Sequence, residues 1–256
     1  AALSHAICHS ILKHSNNPLG ILGLTSIVEI IIFTPLVFLV PAPTPYIWSL
    51  IIASAFLHGF YRLLVVYSYK FGDLSFIYPV ARGGSSLLLV FISIIYLSDK
   101  ISVMGLSAIL IICFGLFLIS YSKKEKFNRA AFTLACLTAL MIATYTLVDG
   151  IGVRHSSNGY TFLFWMLALN GIPPLLASLL FRGRGLRNFN KDLLIKGLGF
   201  GILAPFAYGL VVWSMQYMPI AYASAIRETS IIFATLLGFI ILREKSAKTY
   251  SQQNLF

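Results

Sequence analysis

The chain is a succession of long apolar runs separated by short polar or Pro/Gly-rich breaks such as "HSNNP", "PAPTP", "SDK" and "RGRG". Most runs contain 20 to 25 residues, enough to cross a hydrocarbon core about 30 Å thick at about 1.5 Å per helical residue. Barrel strands would instead alternate apolar and polar positions over about ten residues. We therefore expect an all-α polytopic membrane protein with about nine helices. The predicted segments are residues 1–14, 19–40, 46–70, 74–97, 101–122, 129–150, 158–181, 193–217 and 220–242.

Composition supports the membrane prediction, because 58% of the residues are hydrophobic and only 11% are charged, whereas soluble domains carry about 25% charged residues. The net charge of +11 would favour a nucleic-acid partner in a soluble protein. Here the location of the basic residues explains the net charge. Two of them, Lys100 and Arg154, fall in loops on one side of the membrane, and fourteen fall in loops on the other side. The positive-inside rule places the basic side in the cytoplasm, so no nucleic-acid partner is expected. The fourteen are Lys13, Lys70, Lys123, Lys124, Lys126, Arg129, Arg182, Arg184, Arg187, Lys191, Lys196, Arg243, Lys245 and Lys248.

The sequence contains no motif typical of an enzyme or a cofactor-binding protein. It has no Ser/His/Asp set, no phosphate-binding loop and no zinc-ligand spacing, so we expect no catalytic residues and no cofactor. Cys8, Cys113 and Cys136 lie in apolar runs, where a cysteine is usually a small buried side chain. His5 and His9 have a metal-compatible spacing, but no third ligand accompanies them, so we expect no metal site.

Two stretches of the chain are similar to each other. "VVYS" in the first half corresponds to "VVWS" in the second, and each is followed by an arginine and then an acidic residue. The spacing of 17 residues from Arg82 to Asp99 recurs from Arg227 to Glu244. A repeat of five helices, an odd number, must have its second copy inverted in the membrane, and inverted repeats are common in transporters.

The repeat predicts the domain organisation. We expect a first repeat at residues 1–122 with a truncated N-terminus, a basic cytoplasmic linker at 123–128, and a second repeat at 129–256 whose last helix is missing. Two complete five-helix repeats would give ten helices, so the nine predicted segments would lack the tenth, and the first would be cut.

Charged residues occur inside the predicted helices, where each costs a few kcal/mol unless it faces the bundle interior or a water-filled cavity. Arg82 and Arg227 lie about eight residues, about 12 Å, from helix ends on opposite faces, so both are expected near the midplane. Arg62 and Glu29 are expected at a similar depth. Those well inside are Glu29, Arg62, Arg82, Arg227 and Glu228, while Asp149 is close to the predicted outer end of its helix.

Two interpretations of these charges stay open. Arg62, Arg82 and Arg227 could line an aqueous cavity and bind an anionic group, because guanidinium captures carboxylate or phosphate with two parallel hydrogen bonds. They could instead pair with Glu29 and Glu228 and hold the bundle together. Either glutamate could also serve as a counter-ion or carry a proton, since a buried carboxylate binds its proton more tightly.

Spacing of four residues adds neighbours to the arginines. His58 shares a helix face with Arg62, and Tyr78 shares one with Arg82, so both are candidate substrate-binding residues. A histidine in such a place is also often a hydrogen-bonded part of the core. Tyr145 and Asp149 share a face too, and we expect them to be interfacial anchors, with Asp149 as a further candidate for coupling or counter-ion.

The motifs "GDLSFIYPVARGGSSLLLVFISIIYLSDKIS", "ATYTLVDGIGVR" and "PIAYASAIRETSIIFATLLGFIILREK" resemble the EamA-type branch of the drug/metabolite transporter superfamily. "YPVARG" and "IRETS" resemble a subgroup associated with phosphonate utilisation. The resemblance implies ten helices in two inverted five-helix repeats around a central cavity. It also implies that a small metabolite is moved without ATP. Arg82 and Arg227 occupy matching places in the two motifs, and Asp149 falls in "YTLVDG".

The sequence thus predicts a secondary transporter that moves a small anionic or zwitterionic metabolite, phosphonate- or carboxylate-bearing, across the inner or plasma membrane by alternating access. The chain would be a multi-pass protein of that bilayer. One alternative is a flippase-like carrier of phosphate-bearing lipid-linked headgroups, which the same arginines could serve. Another is a non-transporting membrane partner protein whose internal ion pairs are structural.

Overall fold

A computed structural model describes residues 17–68, 71, 74–97, 99–121, 128–180 and 190–229. All of the regular structure in these ranges is helical, which confirms the predicted fold class. The predicted segment 1–14 and the end of the segment 220–242 lie outside the described residues. The helices are α1 Pro18–Val37, α2 Pro45–Ser68, α3 Leu74–Ile95, α4 Val103–Tyr121, α5 Arg129–His155, α6 Gly159–Asn170, α7 Ile172–Leu180, α8 Lys191–Ser214 and α9 Ile220–Glu228.

Within the described ranges, five stretches are long and apolar enough to cross a membrane. They are Pro18–Val37, Pro45–Ser68, Arg129–His155, Gly159–Leu180 and Lys191–Ser214, and shorter apolar helices run over Pro79–Ile95 and Val103–Leu118. Many large apolar side chains point outward, among them Phe38, Phe56 and Phe91. Charged side chains are buried inside. This reversal of the soluble pattern is typical of a protein whose outer surface meets lipid.

Asparagine side chains begin four of the helices. The first N–H groups of a helix have no partner within it, and a side-chain oxygen just before the helix supplies one. Asn17 accepts a hydrogen bond from Gly20, Asn128 from Ala130 and Ala131, Asn158 from Tyr160, and Asn190 from Leu193. The polar breaks that separate the apolar runs therefore also set where the helices start.

The structure refines two predicted segments. The segment 158–181 is confirmed as one stretch long enough to span the membrane, Gly159–Leu180, but a turn at Gly171 divides it into α6 and α7. Two prolines follow, Pro173 and Pro174, which have no N–H to continue the hydrogen bonds of α6. The segment 129–150 is too short, because α5 continues to His155.

Packing brings the two predicted halves together. Helix α1 packs on α6, α7 and α8, α2 packs on α5, α6 and α7, and α3 packs on α4, α5 and α9. In the predicted repeats, α1 corresponds to the pair α6 and α7, and α2 corresponds to α8. The contact of α1 with α8 is therefore equivalent to the contact of α2 with α6 and α7. The division into repeats at 1–122 and 129–256 stays a prediction.

Candidate functional site

Arg82 of α3 and Arg227 of α9 share one carboxylate oxygen. Arg82 donates from Nη1 to Glu228 Oε1 over 3.1 Å, and Arg227 Nε lies 3.5 Å from the same oxygen. Arg227 Nη2 also donates to Ser224 Oγ over 3.4 Å. The three charged residues are between 1% and 3% exposed. We call Arg82, Arg227 and Glu228 the arginine pair site; the formal charges of these three residues sum to +1.

Small residues let α3 approach its neighbours at this level. A side chain at Gly84 would place its Cβ 3.2 Å from Ala139 of α5, and one at Gly83 would lie 3.5 Å from Leu116 of α4. Cys113 of α4 donates from Sγ to the Gly83 carbonyl. The glycines beside Arg82 therefore bring the backbones close, as small residues do in membrane helix packing.

Glu29 of α1 and Arg62 of α2 form a separate, balanced pair. Arg62 Nη1 donates to Glu29 Oε2 over 3.1 Å, and Nη2 donates to Oε1 over 3.3 Å. The side chain of Glu29 is 1% exposed and that of Arg62 is 18% exposed. Both carboxylate oxygens are used, so this pair has no excess charge and has the geometry of a bidentate structural link.

A third cluster is built around Asp149 of α5. His58 Nε2 lies 2.9 Å from Asp149 Oδ2, and the hydroxyl of Tyr208, from α8, donates to the same oxygen over 2.5 Å. The His58 ring stacks on Tyr145 with centroids 4.0 Å apart. We call His58, Asp149 and Tyr208 the aspartate triad.

The triad corrects the prediction that Tyr145 and Asp149 are interfacial anchors. Tyr145 is 3% exposed and Asp149 is fully buried. Because α5 extends to His155, Asp149 lies well within the helix rather than at its end. Contact with His58, in the middle of α2, fixes its depth in the bundle interior.

The arginine pair site and the aspartate triad are neighbours. The rings of Tyr145 and Tyr208 lie 5.9 Å apart, edge to face. Both tyrosines are within electrostatic range of Arg227, and Tyr145 is within range of Arg82 and Glu228 as well. Tyr145, which stacks on His58, and Tyr208, a member of the triad, therefore lie at the triad and within electrostatic range of the arginine pair site.

Arg154 and Asp99 link the two halves of the chain near the helix ends, and we call this pair the clamp. Arg154, in the last turn of α5, donates to Asp99 Oδ1 over 3.1 Å and to the carbonyls of Met215 and Met218 over 2.8 and 2.9 Å. Asp99 Oδ2 accepts from the backbone N–H of Ile220 over 3.3 Å. Sequence reasoning treated Arg154 as a loop residue and did not find this clamp.

Three of the residues that the sequence analysis singled out have side chains outside the described part of the chain. Tyr78 lies in α3, and its side chain is outside the described part of the chain. His5 and His9 are also outside it. Among the residues that the structure describes, no three His, Cys, Asp or Glu side chains come together in a group able to hold a metal ion.

Tyr208 of the aspartate triad was not predicted from the sequence, because the spacing of one tyrosine in an apolar helix does not distinguish it from its neighbours.

A model of the EamA-like transporter family matches residues 129–249. The second half of the chain is therefore similar to an EamA-like transporter domain. The domain begins with α5 and contains Asp149, Tyr208, Arg227 and Glu228. EamA-like proteins are helical polytopic membrane transporters of small molecules and not enzymes. The match and the apolar helices together indicate an integral membrane protein. No curated protein matches the chain.

Proposed function

We propose that this protein is a secondary transporter of a small anionic or zwitterionic metabolite, and that Arg82 and Arg227 bind the anionic group. The observation that carries the proposal is that two buried guanidiniums from different halves of the chain share one oxygen of Glu228. The EamA-like domain supports transport as the activity. Alternating access would expose the arginine pair site to each side of the membrane in turn.

The charge of the arginine pair site favours an anion. Arginine keeps its proton in proteins, so the site cannot lose its excess of +1 by deprotonation. A buried unbalanced charge is costly, and a carboxylate or phosphonate from the substrate would balance it. Within the described residues Glu228 Oε2 has no hydrogen-bond partner, so Glu228 can reorient when an anion enters without losing bonds from that oxygen.

The remaining candidates take supporting roles in this proposal. Glu29 is the counter-ion of Arg62, since their two hydrogen bonds satisfy both groups. The resemblance of "YPVARG" and "IRETS" to the phosphonate-associated subgroup makes a phosphonate the first anion to test. The basic loops would face the cytoplasm of a cell whose inner or plasma membrane holds the protein.

Transport into proteoliposomes tests the proposal. The probes are methylphosphonate, methanesulfonate and β-alanine, which present a phosphonate, a fixed monoanion and a zwitterion, each assayed with and without a proton gradient. We expect Arg82→Gln and Arg227→Gln each to reduce uptake at least about tenfold, because losing a hydrogen bond to a charged group costs about 1.5–3 kcal/mol.

Arg129→Gln is the matched control, since Arg129 is exposed at the start of α5 and its loss should leave uptake unchanged. Size-exclusion profiles and membrane yield show whether each variant is inserted and folded. Uptake that survives in both Arg82→Gln and Arg227→Gln would contradict the assignment of the site.

A further inference from the structure

The charges inside the bundle balance only when the clusters are taken together. Among the described residues, three arginines face three carboxylates in the interior. The pair of Arg62 and Glu29 is neutral by itself. The arginine pair site carries +1, and the aspartate triad carries −1 when His58 is neutral. The described interior therefore holds a positive site and a negative site, with the rings of Tyr145 and Tyr208 close to both.

The carboxylate of Asp149 is incompletely bonded for a buried charge. His58 and Tyr208 both contact Oδ2, while Oδ1 has no hydrogen-bond partner among the residues that the structure describes. Buried carboxylate oxygens are normally satisfied, because desolvation without a partner is costly. A negative group with an unused oxygen and an imidazole 2.9 Å away is suited to accept one proton, either on the ring or on the carboxylate.

We propose that the aspartate triad binds the proton that accompanies an anion at the arginine pair site. This proposal rests on the proposed function, because it needs Arg82 and Arg227 to bind an anion. With His58 neutral, the interior charges of the described residues sum to zero. Adding one monoanion and one proton keeps the sum at zero, whereas either alone leaves a net charge in the low-dielectric interior. Each ligand therefore favours the binding of the other.

The groups that surround His58 fit this assignment. From α5 it faces Asp149 and Tyr145, and from α8 it faces Tyr208. On its own helix Arg62 is balanced by Glu29, and Tyr61 contacts Tyr145 through its ring. Asp149 is the carboxylate in direct contact with His58, and the two tyrosine rings that His58 contacts lie within electrostatic range of Arg227. In the transport cycle the proton reaches the triad from water on one side of the membrane and leaves to water on the other side.

Titration calorimetry of the purified protein in detergent measures how many protons the protein takes up when it binds an anion. Methanesulfonate, which has no exchangeable proton, and methylphosphonate, below the pH at which its second proton leaves, are titrated into the purified protein. Each titration is repeated in two buffers that differ in ionisation enthalpy. We expect the wild type to take up about one proton per anion bound, as the charge balance requires.

Variants separate this proposal from the proposed function. Asp149→Asn should still bind the anion but take up no proton with it, because the charge that the proton balances is gone. Arg82→Gln should bind no anion. Tyr208→Phe removes one hydrogen bond to the carboxylate and keeps the ring. It should bind the anion and shift the pH profile of proton uptake to higher pH. Tyr61→Phe is the matched control and should leave the profile unchanged.

The outcomes are distinct. If the wild type binds the anion without proton uptake, or if Asp149→Asn and Tyr208→Phe both match the wild type, the triad is not the proton site and anion binding stands. If neither anion binds to the wild type, the proposed function fails, and the coupling fails with it.

Discussion

The interior charges form three arrangements that differ in how completely each residue is satisfied. Glu29 and Arg62 use both oxygens and two nitrogens. Arg82 and Arg227 share one oxygen of Glu228. Asp149 leaves one oxygen unused among the described residues. Fully satisfied polar networks rigidify a structure, and the two incompletely satisfied arrangements are the ones that we propose bind an anion and a proton.

A charge exchange tests whether Glu29 and Arg62 are structural. Arg62→Glu alone places two carboxylates together and should destabilise the protein by about 3–5 kcal/mol, the usual cost of breaking a buried pair. The double variant Glu29→Arg with Arg62→Glu should recover most of the thermal stability and the transport of methylphosphonate. If the double variant regains stability but transports nothing, Arg62 binds substrate as well and the purely structural role is wrong.

At the scale of the elements, helix ends and close approaches follow from small and polar residues. The asparagine caps fix where α1, α5, α6 and α8 begin. The contact between α2 and α7 depends on Gly59, because a Cβ there would overlap the ring of Pro173. At Gly171 a Cβ would lie 2.9 Å from the carbonyl oxygen of Ser26 in α1. The turn that divides the predicted segment 158–181 is therefore also a site of close packing.

Gly59→Ala should loosen the contact of α2 with α7. The added methyl meets a rigid proline ring, and overpacking of this kind costs about 1–3 kcal/mol. Gly115→Ala in α4 is the matched control, because nothing lies within 4 Å of a Cβ at that position, and alanine favours a helix over glycine by about 1 kcal/mol. Thermal unfolding in detergent compares the two. Equal melting temperatures would show that the close approach at Gly59 is not tight.

At the scale of the whole molecule, the halves meet both in the interior and at one end of the bundle. The arginine pair site joins α3 to α9. The clamp of Asp99 and Arg154 joins the connection after α3 to the end of α5 and to the connection between α8 and α9. The proposed alternating access would require some contacts between the halves to break, and the clamp is one of those contacts.

Asp99→Asn should weaken this clamp. The variant keeps the side-chain shape but turns the ion pair with Arg154 into a hydrogen bond from the charged guanidinium to a neutral amide oxygen, at a cost of about 1–2 kcal/mol. Hydrogen exchange at the start of α9, from Ile220 onward, should become faster. Lys196→Gln breaks the exposed pair with Asp192, which contributes about 0.5 kcal/mol or less, and should not change exchange there. Unchanged exchange in Asp99→Asn would show that the clamp does not hold α9.

Much of the fold could be predicted from the sequence, and less of the site. The apolar runs predicted the helices of the described region, but α5 ends five residues later than predicted and 158–181 is divided. Glu29, Arg62, Arg82, Arg227 and Glu228 were predicted to be inside the bundle, as they are. Tyr208 and the clamp were not found, because a partner from a distant helix leaves no periodic signal in the sequence.

The sequence by itself determined that the chain is an all-α membrane protein with ionised groups in its interior, since bilayer thickness sets segment length and each buried charge stands out against apolar neighbours. Only the tertiary structure decided which charge meets which. The decisive contacts join residues 33, 91 and 146 positions apart, and such pairings depend on how helices pack. For that reason Asp149, assigned from sequence to the membrane surface, lies in the interior beside His58 and Tyr208.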